Sequence, residues 1–420
     1  RSGFPALSGS LTRAMSATLL IKNAVTVRGD GSEPETGSVL VDTEAGTISA
    51  CGKSAGDGTF VYDAGGAYLF PAFTDIACRF SDPAHAQRDS IATASAAAVG
   101  GGFLNLACLP HQSGEPVTLR PASTPCRILP VIPVSDPSGI DAEKRAVYTD
   151  IPSPVTDPGK LKSIMLACRA SDSLFIPACL DRGLASDGVM RGGRTAKLLG
   201  LAAIPESAFL LPLITALILS AETGCRIHIP AVSDAESVSL VRQAKSRGVP
   251  VTCGTSPLYF SMTDNDVFYY GGSAKVIPPL GTRRDRESVC EALSDGTIDC
   301  ISSLHTPLTK PENCQELKKC LFGASGFDTA FSASVTYLLK KNIVTPDRLA
   351  ALLAVNPAKI TGRKAGITPG APADLVIADT DAETVVSSNT MKSKSVNTPY
   401  LGMTLTGCVK AVFSGGVRVF

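Results

Sequence analysis

CRIHIPAVSDAESVSLVRQAKSRGVPVTCGTS, Cys225–Ser256, is the stretch that decides the fold. It opens on a short apolar run around IHI and closes on a second one, VPVTCGTS. Between them Val238, Leu240, Val241 and Ala244 recur at helical spacing and mark one buried face, and Gly248 supplies the stop. Strand, amphipathic helix and strand in so few residues call for parallel strands joined by a helical crossover.

The same texture extends outward in both directions. RILPVIPVS, SLFIPACL and TIDCISSLH read as further buried strands. DSIATASAAAVGGG, DPGKLKSIMLACRA, ESAFLLPLITALILSAETG and DRESVCEALSDG read as the helices between them. About seven or eight such units fit between Pro71 and Gly366, which predicts an α/β fold of the (β/α)8 TIM-like barrel type. The ends read differently. LLIKNAVTV, GSVLVDTEAGTISACG and VYDAGGAYLF on one side, and ADLVIADTD and GCVKAVFSGGVRVF on the other, alternate apolar and polar residues between turns. They predict a small β-sandwich domain built from both chain ends, antiparallel in its pairing. The expected divisions are a tail over 1–17, β domain over 18–70, barrel over 71–365 and β domain again over 366–420.

Composition narrows the function classes. The 420 residues are 44% hydrophobic and 18% charged, with no Trp, and Lys+Arg 39 against Asp+Glu 38 leaves a net charge of +1. Such a balance carries no electrostatic footprint for nucleic acid or an acidic membrane. The longest apolar run, Ala208–Leu219, is too short to span a bilayer. Thirteen cysteines without a CxxC pair imply free thiols in a reducing, cytoplasmic setting. The four histidines, His85, His111, His228 and His305, are few for a chain that would spend three or four on one metal. Residues 1–17 hold two Arg and no acid, and read as a tail ahead of Met15 or as the remnant of an organelle-targeting segment. VGGGF, Val99–Phe103, lacks the spacing of a phosphate loop and reads as a turn. Arg283, Arg284, Asp285 and Arg286 read as a solvated helix start or as a docking patch.

Ordered blocks then carry a resemblance. GLASDGVMRGGRTAKLLGLAAIPESA, IHIPAVSDAESVSLVRQAKSRGVPVT, KVIPPLGTRRDRE, DGTIDCISSLHTP and VNPAKITG…GITPGAPADLVIAD follow one another as in bacterial type I dihydroorotases of the amidohydrolase superfamily. The chain resembles that family from Leu19 onward. The resemblance implies reversible closure of carbamoyl aspartate to dihydroorotate, with zinc held by histidines at the strand ends.

The positions that would hold the metal read differently here. Asp-x-His-x-His becomes Asp75-Ile76-Ala77-Cys78-Arg79, so Ala77 and Arg79 replace the two histidines, and alternation along a strand turns Cys78 away from the mouth. Ala178 and Ala231 stand where later histidines belong, and Leu304 where the family has its catalytic Asp. His305 survives beside it and is expected to be a structural hydrogen-bonding residue. Positions that read the substrate correspond to Ser81, His111 and Ile277, and Leu308 ends the last motif. Neither metal ligands, catalytic residues nor substrate contacts are expected from this set, and zinc is expected to be absent. The resulting expectation is a catalytically inactive homologue, not an enzyme, serving as structural partner of the aspartate carbamoyltransferase catalytic chain. Such degenerate chains join it in a larger hetero-oligomer, commonly dodecameric. Two alternatives stand beside this one. The first is an active cyclic-amide hydrolase with an atypical metal or cysteine site drawn from Cys179, Cys253, His305, Asp150 and Asp181. The second is a non-enzymatic scaffold of the dihydropyrimidinase-like kind.

Overall fold

The computed structural model describes residues 18–52, 60–80, 83–111, 113–117 and 124–420; the expected tail over 1–17 and the candidate Ser81 lie outside them. Eight short strands follow in sequence order: Phe73–Cys78, Phe103–Cys108, Arg127–Pro133, Val147–Thr149, Leu174–Ile176, Ile227–Ile229, Val251–Thr255 and Cys300–Ile301. Every neighbouring pair is parallel. The ring closes between last and first: the Ser303 N–H donates to the Asp75 carboxylate at 2.9 Å, and the Arg79 N–H to the His305 carbonyl at 2.8 Å. This is the (β/α)8 barrel that the alternation of strands and helices predicts.

The strands are short and apolar because they are covered on both faces. Ile76, Ala107, Val131, Leu174, Ile176 and Cys300 fill the barrel interior. Helices pack outside, and Ala235–Ser246 shows how they are set. The Asp234 side chain accepts from the Ser237 N–H at 2.8 Å to start it; Val238, Val241 and Ala244 face inward; Gly248, at φ +77°, follows its end. At the turn in VGGGF, Gly102 has φ +88° and a side chain there would meet the Phe73 ring at 2.6 Å, so this turn is built on close packing.

Both chain ends enter one sheet. Its strands run in the order Val417–Arg418, Thr404–Ser414, Leu375–Val385, Tyr68–Pro71, Thr18–Thr26, Glu35–Asp42 and Thr47–Cys51, with Phe60–Asp63 also paired to Thr18–Thr26. The pairing is not antiparallel throughout. Thr18–Thr26 is parallel to both Phe60–Asp63 and Tyr68–Pro71, since the chain crosses over between them instead of making a hairpin. One face buries Leu19, Ile21, Val39, Leu375, Ile377 and Phe413 together. The other meets the barrel through Phe70, whose ring lies 6.0 Å from Phe73 and 5.9 Å from Phe331.

The charge run at Arg283 is not simply a solvated helix start. Thr282 and Asp285 form a capping box at the head of Arg283–Asp295, and Asp285 is buried. Arg191, also buried, lies 3.9 Å from the Asp285 carboxylate, 3.7 Å from Asp234 and 2.7 Å from Glu206. This cluster ties the segment after the fifth barrel strand to the heads of helices Ala235–Ser246 and Arg283–Asp295. Among the described residues no helix is long and apolar enough to cross a membrane.

Candidate functional site

A cavity of about 470 Å³ opens at the C-terminal ends of the barrel strands, where this fold places its chemistry. Ala77 and Arg79 from the first strand, Ala178 after the fifth, Ala231 after the sixth and Leu304 after the eighth all line it, as does Ile277. The sequence therefore brings six of its candidate positions to one place. His111 and Leu308 do not line the cavity: His111 closes a loop through its N–H to the Glu115 carbonyl, and Leu308 is buried with its N–H on Asn397.

The carboxylates nearest the mouth are committed to the backbone. Asp75, fully buried, accepts from the Ala77 N–H and the Ser303 N–H, both at 2.9 Å, and burial pushes its carboxyl above the ordinary range. Asp150 accepts from the Val155 N–H at 2.9 Å and the Ala178 N–H at 2.6 Å, and burial raises it in the same sense. Each serves as a clamp between neighbouring strand ends. Leu304 has φ +49°, a left-handed conformation that costs a branched residue about 1 kcal/mol.

His305 lies behind the wall of the cavity. Its ring stacks on Phe327 with centroids 4.2 Å apart, its Nδ1 accepts from the Gly326 N–H at 3.2 Å, and its Nε2 is 3.4 Å from the Asp89 carboxylate. Asp89 also accepts from the Ser393 hydroxyl and the Lys394 N–H. His305 thus ties the last barrel strand to the segment that leads into the terminal sheet. His228 is in the barrel interior, 2.9 Å from the Thr252 hydroxyl, and burial pushes its imidazole down to about 3.

The cysteine arrangement is not assembled. Cys179 lines the cavity, but burial and the nearby Asp150 push its thiol up to about 12. Cys253 donates to the Thr297 carbonyl from a fully buried position, and Asp181 caps the helix Arg182–Ala185. Cys78 faces Cys108, with 3.8 Å between sulfurs, and does not line the cavity.

A zinc ion requires three or four N, O or S donors converging on one point. Three alanine methyls, a leucine and a guanidinium stand on the strand ends instead. Among the described residues no group of three His, Cys, Asp or Glu is placed to hold a metal. The residues present do not fit zinc. Sequence reasoning passed over Arg182, a second guanidinium at the rim, whose signal was its place directly after the strand-end run IPACLD.

Comparison with known proteins agrees with this architecture. Residues 201–419 match the Amidohydrolase family. A dihydroorotase from Thermoanaerobacter sp. (strain X514) is 36% identical over 95% of this chain and 96% of its own. One from Acetivibrio thermocellus is 36% identical over 93% and 96%. Among solved structures, the L-hydantoinase (dihydropyrimidinase) of Arthrobacter aurescens superposes with a TM-score of 0.83 over 96% of this chain and 95% of its own, at 23% identity, a likeness of fold. The chain belongs to the amidohydrolase family, on the side of the dihydroorotases.

That finding corrects one expectation. The chain was expected not to be an enzyme, yet relatives at 30% to 36% identity bear the name of an enzyme, dihydroorotase. The expectation rested on the ligand positions Ala77, Arg79, Ala178, Ala231 and Leu304. Side chains at five positions speak to one way of activating water and not to every chemistry a barrel mouth can host.

Proposed function

We propose that the chain acts in cytoplasmic pyrimidine metabolism as a dihydroorotase-family barrel assembled with the catalytic chain of aspartate carbamoyltransferase, and that it holds no zinc at its mouth. The observation that carries this reading is the agreement with dihydroorotases along nearly the whole of both chains, set beside a mouth of alkyl side chains. Among the described residues no group of three His, Cys, Asp or Glu is placed to hold a metal, which supports the second part. A surface suited to a partner supports the first part. On the outer face of helix Ser207–Thr223, Leu211 and Ile218 are each 53% exposed, and Leu166 on the neighbouring helix Pro158–Ala170 is 49% exposed. Apolar side chains gathered on a helical face are what a protein partner covers.

The test is co-elution of the purified chain with the transcarbamoylase catalytic chain on size exclusion, run beside elemental analysis. A shared peak that Leu211→Glu with Ile218→Glu abolishes, and metal below about a tenth of an equivalent at a site that has no ligand set, would bear the proposal out. Separate peaks would refute the partnership. Stoichiometric zinc would refute the metal assignment.

A further inference from the structure

The cavity at the barrel mouth is too well formed and too apolar to be read as a gap left by missing ligands. Its walls are Ala77, Ala178, Ala231, Leu304, Ile277 and Phe322. Its volume of about 470 Å³ lies within the range of small-molecule sites. Two cations reach it, and each is aimed by a main-chain carbonyl. Arg79 Nη1 donates to Pro110 O at 2.7 Å, and Arg182 Nη2 donates to Pro152 O at 2.6 Å. At Arg182 that bond uses one of five guanidinium N–H donors and fixes the plane of the rest. No carboxylate stands among the described residues that line the cavity.

From this combination we infer that the mouth is a binding site for a small, predominantly apolar monocarboxylate, with its ring or chain between the alkyl walls and its carboxylate at the Arg182 guanidinium. A guanidinium favours a carboxylate through paired N–H···O bonds. The alkyl walls favour whatever apolar surface the ligand carries. The same walls select against a cyclic amide such as dihydroorotate. Its ring N–H and C=O groups would lose water against Ala178, Ala231, Ile277 and Leu304 without gaining partners, and buried polar groups left unpaired weaken binding. The site does not depend on the transcarbamoylase assignment, because every group in it belongs to this chain.

2-Naphthoate is the probe, since its fluorescence can be followed in a chain that contains no Trp. Titrated into the full chain, it is expected to saturate at one site. Binding is expected to be about tenfold or more tighter than that of dihydroorotate measured by competition, following the penalty on unpaired polar groups. The neutral 2-naphthamide should bind several-fold more weakly. Arg182→Gln, a change at an exposed rim residue, should remove that difference by weakening naphthoate and leaving naphthamide unchanged. Ala178→Phe, which fills the cavity, should abolish both, with circular dichroism confirming that the variant is folded; Ala231→Leu serves the same purpose if Ala178→Phe does not fold. Non-saturable binding, dihydroorotate as tight as naphthoate, or full binding in the filled variant would each overturn the inference.

Discussion

Replacing Arg191 by Met should destabilise the protein by an amount that can be worked out from its neighbours. The guanidinium is buried 3.7 Å from Asp234 and 3.9 Å from Asp285, and 2.7 Å from the more exposed Glu206. Methionine fills much of the same volume but leaves two buried carboxylates facing each other. Removing one partner of a buried pair typically costs about 3–5 kcal/mol. The lower end applies here, for two reasons. Asp234 keeps the Ser237 N–H and hydroxyl, and Asp285 keeps the Ala235 and Thr282 N–H groups. Glu206, being exposed, adds little. A loss of about 3 kcal/mol over 420 residues, at an unfolding entropy of about 2.1 cal/mol/K per residue, lowers Tm by about 3 °C. A pH signature should accompany it. Burial acts to raise the Asp285 carboxyl, but the Ala235 N–H, Thr282 and Arg191 outweigh it and hold the group below the ordinary range. Its stabilisation is therefore present at neutral pH and lost as pH falls through the folded-state value. Without the guanidinium that loss begins at a higher pH. Thermal unfolding followed by circular dichroism from pH 7 down to about pH 2, which spans ordinary carboxylate titration and the region below it, reads both effects. A Tm within about 1 °C of the parent together with an unmoved acid limb would refute the assignment of this cluster as a structural tie.

Three other consequences can be measured directly. His228, held neutral by burial with its imidazole pushed down to about 3, takes up a proton on unfolding below its ordinary value near 6.5. Stability should thus be fully present above that value and fall by about 1.4 kcal/mol per pH unit below it; His228→Asn should flatten that slope, and an unchanged slope would count against a neutral, buried imidazole. Alkylation by iodoacetamide at about pH 8 should label the exposed Cys314 quickly and Cys179, whose thiol is pushed up to about 12, at least about 100-fold more slowly by peptide mass spectrometry; comparable rates would restore Cys179 as a reactive thiol. Gly102→Ala must hold φ +88° with its methyl against the Phe73 ring, and should cost about 2–4 kcal/mol in urea unfolding; a cost below about 1 kcal/mol would mean that the turn relaxes easily.

Most of the barrel was legible because its signals are local. Val238, Val241 and Ala244 announce a helix face within one turn or two, and Gly248 announces its end, so no distant contact is needed to read them. The candidate positions Ala77, Ala178, Ala231 and Leu304 converged on one cavity because each sits at the end of a strand whose place in the ring follows from order alone. What escaped were relations between distant residues. Asp285 looked like part of a solvated charge run, yet its burial depends on Arg191 almost a hundred positions earlier. The parallel pairing of Thr18–Thr26 with Tyr68–Pro71 was hidden in the same way, since alternation reveals which face is buried and not which neighbour a strand will choose. The expectation of a chain without enzymatic character failed because it was argued from a few strand-end positions such as Ala77, Ala178, Ala231 and Leu304, whereas relatives that match nearly the whole chain are named for an enzyme.

The joining of both chain ends in one sheet has a consequence for how the protein is made. Tyr68–Pro71 borders Leu375–Val385 in that sheet, with Leu69 opposite Ile377. Some three hundred residues separate these partners, and a ribosome adding about 5–20 residues per second needs about 15–60 s to deliver the second after the first. Throughout that interval the edge of Tyr68–Pro71 that Leu375–Val385 will occupy stays unpaired. Leu69 and Phe70, fully buried in the finished protein, also wait without part of their cover. The nascent chain therefore passes through a sticky stage whose length is set by translation and not by folding, and it is a natural client for holding chaperones until its last fifty residues emerge.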